Sequence, residues 1–197
     1  MRLILASGSP RRHELLKKAG FAFEVRVPEV DEHVPGPARE AVGILAERKA
    51  RKVASELAGE KDAGRCLIVA ADTLVSLEGR ALGKPVSRKE AREMLQSLSG
   101  REHEVFTGLC LIHMGNGQCA GKVVRTGVRF RELSSEEIDR YVSTGEPMDK
   151  AGAYAIQGGA NGFVESLDGE FDNVMGFPVR EFRELYDALR EESESAE

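Results

Sequence analysis

A continuous apolar run, CLIVAA at residues 66–71, restricts the fold of this chain more than any other feature. Its length is that of a strand, and an unbroken apolar pattern is typical of a strand that is covered on both faces. The run LILA at residues 3–6 has the same character and leads into a helix. Ser9, as N-cap, and Pro10, as first helical residue, are predicted to begin that helix. The chain is therefore expected to pack helices onto a sheet with a buried centre.

The other patterns alternate between helices and antiparallel ribbons. Residues 23–32 (FEVRVPEVDE) alternate like a strand and lead into an acidic loop that contains proline. Two strand patterns flank a GNG turn at 115–117, and a second hairpin is predicted with Asp168 and Gly169 at its turn. Helices are predicted at 38–58, after capping boxes at Ser87/Glu90 and Ser134/Glu137, and from about Pro178. These elements predict an α/β or α+β fold on a mixed, strongly twisted sheet.

The composition limits the class of protein and its partners. We expect one domain over residues 1–197, with an acidic tail at 191–197 that frays. The net charge of −5 argues against general nucleic-acid binding, and no run of about 18 apolar residues predicts a membrane span. No leader segment is predicted at the N-terminus. The three cysteines, Cys66, Cys110 and Cys119, are expected to be reduced core residues, which favours the cytoplasm.

Two arginines, Arg11 and Arg12, occupy the first turn of the helix that follows residues 3–6. A helix N-terminus carries about half a positive charge, so a cation there is disfavoured by roughly 0.3–1 kcal/mol. An anionic ligand at the Ser7–Arg12 turn, which includes Ser9, removes this conflict. Free backbone N–H groups and two guanidiniums can hold phosphate oxygens. The turn therefore predicts a phosphate site.

Asp72, Thr73 and Lys49 are the next candidates for a ligand site. Asp72 and Thr73 end the apolar run at 66–71, and ligands of α/β sheets usually bind at strand ends. Lys49 lies within the apolar stripe of the helix at 38–58. Two structural alternatives stay open at this point: Asp72 as a turn or cap residue, and Lys49 as a lysine that snorkels past the edge of the core.

Two further stretches combine permissive backbone with polar side chains. Lys84 stands between Gly83 and Pro85, although a solvated loop lysine explains it equally well. In DKAGAYAIQG at 149–158, small residues let the backbone approach a ligand, while Lys150 and Gln157 can read its polar edges.

Carboxylates for a divalent cation are present, but other catalytic motifs are missing from the sequence. Glu32, two further acids of its loop and Asp72 suit Mg²⁺, which takes one or two carboxylates plus substrate phosphates. Neither a G-x-S-x-G elbow nor a P-loop motif is found, and no histidine is assigned a role. His33 and His103 are expected to be surface or turn residues. The residue types indicate a metal-dependent enzyme that acts on a nucleotide or another phosphorylated small molecule.

Four motifs resemble those of the Maf-type nucleoside triphosphate pyrophosphatases and occur in the order expected for that family. Two shorter motifs fit the same family. They are LASGSPRR at 5–12, AADTLV at 70–75, GKP at 83–85 and DKAGAYAIQG at 149–158, with LSG at 98–100 and NVMGFP at 173–178. The resemblance covers essentially the whole chain. It implies the fold of the inosine triphosphate pyrophosphatases, in which a long twisted mixed sheet with flanking helices forms two lobes around a central cleft. It also implies cleavage between the α- and β-phosphates with a divalent metal, Mg²⁺ or Mn²⁺.

The motifs look like those of the branch that acts on dTTP and UTP. Thr73 after Asp72, and Gln157 in the last motif, match that branch, and Arg11, Thr73 and Gln157 match the positions linked to base selectivity. The last motif has Ala155 where the family usually has glycine. The alternatives are a 7-methyl-GTP pyrophosphatase and a nucleotide-binding regulator of cell division and septum formation.

The resemblance also implies roles for the charged residues. Asp72 is expected to accept the proton of the attacking water and to hold the metal, with Glu32 as a second ligand. Arg12, Lys49 and Lys84 are expected to neutralise the triphosphate and the leaving pyrophosphate. Ser7, Ser9 and Lys150 complete the expected substrate contacts, and the family is compatible with a homodimer.

Overall fold

The computed structural model describes residues 1–194, which contain a mixed sheet of seven strands. The strands are β1 (Arg2–Leu5), β2 (Glu24–Val25), β3 (Cys66–Leu77), β4 (Arg80–Leu82), β5 (Glu102–His113), β6 (Cys119–Phe130) and β7 (Val164–Asp168). Their order in space is β2-β1-β3-β5-β6-β7, and β4 also pairs with β3. Strand β1 is parallel to both of its neighbours, and every other pair is antiparallel. The mixed sheet expected from the sequence is confirmed.

Six α-helices within the described residues flank this sheet. They are α1 (Pro10–Lys18), α2 (Ala38–Leu57), α3 (Arg88–Leu98), α4 (Ser135–Ser143), α5 (Phe171–Met175) and α6 (Val179–Glu194). The predicted capping box at Ser134 and Glu137 is confirmed. At α3 the Ser87 hydroxyl accepts from the Glu90 N–H, but the Glu90 carboxylate accepts from the backbone N–H of Val86 instead of that of Ser87. Helix α6 includes residues 191–194, and the rest of the tail expected to fray lies outside the described residues. None of these helices is long and apolar enough to cross a membrane.

The long strands β3, β5 and β6 run through two lobes, each with its own core. In one lobe, apolar residues of α1, α2 and α6 pack against the two faces formed by β1 and the first half of β3. In the other lobe, α3, α4 and residues 146–163 pack around the far end of the strands. A cleft of about 1120 Å³ lies between the lobes. Two lobes around a central cleft were expected, and the structure has them.

A gap in the edge of the sheet forms the floor of this cleft. Strand β5 pairs with one edge of β3 without interruption from Leu67 to Ser76. On the other edge, β1 pairs only as far as Val69, and β4 begins to pair at Val75. Between these two points the edge of β3 faces the cleft. The expectation that this strand ends at Ala71 is wrong, because pairing with β5 continues through Asp72 and Thr73. These polar residues instead mark the gap between β1 and β4.

Two other predicted elements differ from the structure. Only Glu24 and Val25 of the stretch 23–32 form a strand, because β1 ends at Leu5 and offers no partner beyond that point. The second hairpin is wrong as well: after Asp168 the chain enters α5. There the Thr126 hydroxyl bonds the Glu170 carbonyl oxygen at 3.0 Å, and no further ladder of β7 forms within residues 1–194.

None of the three cysteines forms a disulfide bond in the structure, and one of them is exposed. Cys66 and Cys110 are buried as expected, whereas Cys119 is exposed. Strand β7 pairs with β6 only from Gly127 onwards, so the first half of β6 is an edge of the sheet. This open edge leaves Cys119 at the surface, and its assignment to the core is wrong.

A close approach of α2 to the sheet brings Lys49 to the cleft. Gly108 lies directly opposite Asp72 in the β3–β5 ladder. A Cβ on Gly108 would lie 2.3 Å from the carbonyl oxygen of Val42 in α2, so only glycine permits this contact. Lys49 follows Val42 by two helical turns and is on the same face of α2. The helix is therefore held near Asp72 at the point where its lysine points to the sheet.

His103 is buried, which corrects its predicted surface position, whereas His33 is exposed as expected. The His103 ring packs edge-on against Phe130 and Tyr154, and its Nε2 lies 2.8 Å from the Tyr154 hydroxyl. Burial lowers the pKa of His103 from 6.5 to about 4. The folded protein thus holds this imidazole neutral, while the unfolded chain takes up a proton below about pH 6.5.

Stability is therefore expected to fall as the pH drops from about 6.5 towards 4, because only the unfolded state binds the extra proton in that window. We expect this histidine to account for about 2 kcal/mol of lost unfolding free energy between roughly pH 7 and 5. Denaturant titrations of the wild type and of His103→Gln measure the difference. The unfolding free energy of His103→Gln should change less with pH than that of the wild type, and that of His33→Gln should change as in the wild type. The same pH dependence in all three proteins would contradict the assignment.

Candidate active site

Lys49 and Asp72 form a buried ion pair on one side of the cleft. Each residue is 8% exposed, and Lys49 Nζ lies 2.6 Å from Asp72 Oδ1. The same ammonium lies 2.7 Å from Oε1 of Glu32, whose side chain is about half exposed. The hydrogen bond from Lys49 lowers the pKa of the Glu32 carboxyl. Lys49 therefore has two carboxylate partners, and the snorkelling alternative is wrong.

Arg12 lies on the other side of β3, held by three protein oxygens. Asp72 and Thr73 are consecutive in an extended strand, so their side chains point to opposite faces. The Arg12 guanidinium donates from Nη2 to Thr73 Oγ1 (3.2 Å), from Nη1 to Ser7 Oγ (3.1 Å) and from Nε to the Gly176 carbonyl oxygen (2.8 Å). Of its five N–H groups, two are left for a ligand. The two sides of the cleft thus each present a fixed cation.

The turn between β1 and α1 binds Arg12 through Ser7 rather than through Ser9. Ser7 Oγ accepts from the Ser9 backbone N–H at 3.2 Å as well as from Arg12. Ser9 holds the N-cap position but makes no side-chain cap bond, so its predicted capping bond is not formed. The N–H groups of the first turn of α1 remain available to an anion.

Arg11 reaches the same cleft with no hydrogen bond or ion pair to the described residues. Burial lowers the pKa of its guanidinium, while Asp149, Tyr141 and Glu146 oppose that shift through their charges. Burial likewise lowers the pKa of Arg12, opposed by the charge of Asp72. Both shifts arise because cations are partly removed from water, a cost that an anionic ligand would offset.

The segment 149–158 lines the cleft opposite Arg11. Lys150 pairs with Asp149, and Gln157 is exposed at the rim. Gly152 has a φ of +68°, and a Cβ there would lie 2.9 Å from Val75, so this tight turn requires glycine. The Ala155 backbone N–H donates to the Tyr141 hydroxyl at 2.9 Å. The loop thus accommodates alanine at position 155, and the hydrogen bond from its backbone N–H to Tyr141 fixes the loop.

Lys84 also lines the cleft, exposed in the segment after β4. It is near enough for its charge to lower the pKa of Glu32, although the bond from Lys49 is the larger cause. The cleft therefore collects all the sequence-predicted site residues.

Asp72 and Glu32 fit a divalent cation only together with ligand oxygens. Each binds Lys49 through one oxygen, and the second oxygen of each has no hydrogen-bond donor among residues 1–194. No group of three or more His, Cys, Asp or Glu side chains that could hold a metal occurs in that part of the chain. Two carboxylates completed by phosphate oxygens are a set that Mg²⁺ accepts.

Four residues of the site escaped the sequence analysis. Glu146 accepts the Gly159 backbone N–H at 2.9 Å, and Tyr141 bonds the loop at Ala155. Thr107 and Asn173 lie beneath Thr73, both with no exposed surface. The NVMGFP motif at 173–178 was a signal for Asn173, but no local pattern marks the other three.

Several known proteins resemble this chain over most of its length. The family model of Maf-like proteins matches residues 2–189. A protein of Desulforamulus reducens named dTTP/UTP pyrophosphatase is 46% identical over 188 residues, covering 95% of each chain. A protein of the same name from Symbiobacterium thermophilum is 49% identical over 180 residues, covering 90% of this chain and 88% of its own. A third, from an Anaeromyxobacter species, is 50% identical over 93% of this chain and 87% of its own.

A solved structure gives a partial match. It is a nucleoside-triphosphatase (dITP/XTP pyrophosphatase) from Mycobacterium abscessus, with a TM-score of 0.38 and 16% sequence identity. The match covers 66% of this chain and 73% of the other. The family follows from the sequence comparisons, since the family model and the relatives each span about nine-tenths of the chain or more. This chain belongs to the family of Maf-like proteins.

Proposed function

We propose that this protein hydrolyses dTTP and UTP to the nucleoside monophosphate and pyrophosphate. The observation that carries the proposal is the pair of cations across the cleft, Arg12 on one face of β3 and Lys49 on the other, with Asp72 paired to Lys49. A triphosphate that crosses the edge of β3 meets both cations and the carboxylate. The name shared by the relatives supports the substrate class.

Asp72 is the group best suited to take a proton from the attacking water. It is the buried carboxylate of the cleft, and Lys49 fixes the direction of its oxygens. A proton acceptor must lie within hydrogen-bond reach of its water, and a rigid carboxylate at the floor of the cleft meets that condition. Proton transfer of this kind contributes about 10²–10⁴-fold to a rate.

Arg12, Lys49 and Lys84 stabilise the charge that develops on the leaving pyrophosphate. Arg12 presents two free N–H groups in one plane, which suits two phosphate oxygens. Lys84 is exposed, and its long side chain can follow the phosphates. Asp72 and Glu32 would hold Mg²⁺ or Mn²⁺, which supplies positive charge to the phosphate oxygens when bound.

Base selection is assigned to Arg11, Gln157 and the loop that carries Gln157. An amide side chain offers one donor group and one acceptor, which matches the edge of uracil or thymine. A base that leaves these groups unpaired is rejected. Lys150 and Ser9 are assigned to substrate binding as well.

Three statements about the whole protein stay predictions: a single domain, a homodimer and a cytoplasmic location.

A substrate panel tests the proposal. Pyrophosphate release is measured from dTTP, UTP, CTP, dCTP, GTP, 7-methyl-GTP and ITP with Mg²⁺ or Mn²⁺. We expect dTTP and UTP to have kcat/KM at least about tenfold above the other nucleotides, as a lost hydrogen-bond pair costs about 1.4 kcal/mol or more. Preference for 7-methyl-GTP would keep the chemistry but overturn the base assignment. Tight binding without turnover of any nucleotide would favour the regulator of cell division.

A further inference from the structure

A chain of hydroxyl groups lies behind Arg12 and includes Thr107, a residue to which no part of the reaction is assigned. Arg12 Nη2 lies 3.2 Å from Thr73 Oγ1, and Thr73 Oγ1 lies 3.0 Å from Thr107 Oγ1. Thr107 Oγ1 donates to the backbone carbonyl oxygen of Asn173 at 3.0 Å. Thr73 and Thr107 are directly opposite in the β3–β5 ladder, so both side chains are on the same face of the sheet.

The two ends of this chain fix the direction of every hydrogen bond in it. A guanidinium can only donate, and a carbonyl oxygen can only accept. Thr107 has one O–H, which goes to Asn173, so Thr73 must donate to Thr107. Thr73 then accepts from Arg12. The bonds run one way from Arg12 to Asn173, and bonds aligned in this manner strengthen one another.

The far end of the chain is firmly anchored. Asn173 is completely buried, and its Nδ2 donates to the Val105 carbonyl oxygen at 3.2 Å and to Thr126 Oγ1 at 3.0 Å. Three residues later, the Gly176 carbonyl oxygen accepts from Arg12 Nε at 2.8 Å. Arg12 is thus fixed to the segment 173–176 directly through Gly176 and indirectly through the two threonines.

We propose that Thr107 is a positioning residue, which holds the Arg12 guanidinium through Thr73 in the plane that meets the phosphates. The proposal rests on the proposed function for its substrate. Its consequence for Thr73 is specific: the one hydroxyl proton is committed to Thr107, so Thr73 can offer a ligand only an acceptor. Any effect of Thr73 on nucleotide selection then acts through Arg12 or through that acceptor.

Without Thr107, the Thr73 hydroxyl is no longer held in place, so the Arg12 guanidinium keeps only two fixed partners. Thr73 would have no acceptor for its proton and would rotate, and Arg12 would then sample orientations in which its two free N–H groups miss the phosphates. Misplacement of a phosphate-binding group by about 1 Å costs up to roughly 10²-fold in rate. Because Arg12 keeps Ser7 and Gly176, we expect a smaller loss of about tenfold.

The test compares two threonines that hold the same helix α5. Thr107→Val removes the hydroxyl inside the chain, and Thr107→Ser restores it. Thr126→Val is the matched control, because Thr126 is equally buried and bonds Asn173 and Glu170 but forms no hydrogen bond with Thr73 or Arg12. For dTTP we expect kcat/KM to fall about tenfold in Thr107→Val and by less than about threefold in the other two variants. Equal losses in Thr107→Val and Thr126→Val would overturn the proposal, as a general role in holding α5 explains them.

A double-mutant cycle separates positioning from structural support. If Thr107 acts through Arg12, adding Thr107→Val to Arg12→Ala should change kcat/KM by less than about twofold. Multiplying effects would overturn the proposal. The binding of tripolyphosphate, measured by calorimetry, gives a readout that does not need turnover. Thr107→Val should weaken it about tenfold, and Thr126→Val should not. If the wild type releases no pyrophosphate from any nucleotide, the proposed function fails, whereas the tripolyphosphate comparison still decides the role of Thr107.

Discussion

Asp72→Asn is expected to lower kcat for dTTP by roughly 10³-fold while the protein stays folded. The amide cannot accept a proton at neutral pH, so the attacking water loses its base. The introduced amide would keep a carbonyl oxygen where Asp72 Oδ1 now accepts from Lys49 at 2.6 Å, and Lys49 would keep Glu32. The local geometry therefore survives, and the loss reports on chemistry rather than on folding.

Steady-state pyrophosphate release and a thermal unfolding curve check this prediction together. Asp139→Asn is the control, since Asp139 is exposed, pairs with Arg92 and lies in α4, away from the cleft. We expect that variant to stay within about twofold of the wild type. A rate for Asp72→Asn above about a tenth of the wild-type rate would mean that another group takes the proton.

The sequence made Lys49 and Asp72 candidates because each places a charge at an apolar pattern, and the family resemblance then implied a role for both. Lys49 interrupts the stripe of α2, and Asp72 interrupts the apolar run of β3. Each is a local anomaly that can be recognised without a structure. The partner of each was not given by the pattern, and the structure shows that they are partners of one another.

The same local reasoning placed Asp72 at the end of a strand, and that part failed for a tertiary reason. Strand β3 continues beyond Ala71 because β5 pairs with it as far as Ser76, and its last residue, Leu77, pairs with β4. The cleft is created by two other strands, β1 and β4, which leave the opposite edge open around Asp72. No pattern within residues 66–77 contains that information. In β3 the polar residues therefore mark a ligand-facing position and not an end of the strand.

Thr107 and His103 show a second limit of sequence analysis. Both are in β5, and a threonine or a histidine within a strand is too common to stand out. Their roles come from residues distant in the sequence, Thr73 on the neighbouring strand for Thr107 and Tyr154 for His103. Asn173, by contrast, belongs to a motif and is bonded by residues of β5 and β6, so the motif could be noticed although its bonds could not be predicted.

Lys49→Met is expected to lower kcat/KM for dTTP by roughly 10²-fold, because a fixed cation that faces the developing phosphate charge is lost. Methionine fills a similar volume, so the apolar contacts of α2 persist. Asp72 and Glu32 then face one another without the ammonium that joins them. Removing one partner of a buried ion pair leaves the other charge uncompensated, and we expect the free energy of unfolding to fall by about 1–3 kcal/mol.

Lys52→Met is the matched control, as Lys52 is on the same helix, less than one turn away, and pairs at the surface with Glu56. A surface pair of this type contributes about 0–1 kcal/mol, so kcat/KM and stability should stay close to wild type. Lys49→Arg keeps the charge with a larger head group and should recover part of the lost activity. Should Lys49→Met and Lys52→Met have the same kcat/KM while only Lys49→Met is destabilised, Lys49 would serve only to neutralise Asp72 in the resting protein, and the triphosphate would depend on Arg12 and Lys84 alone.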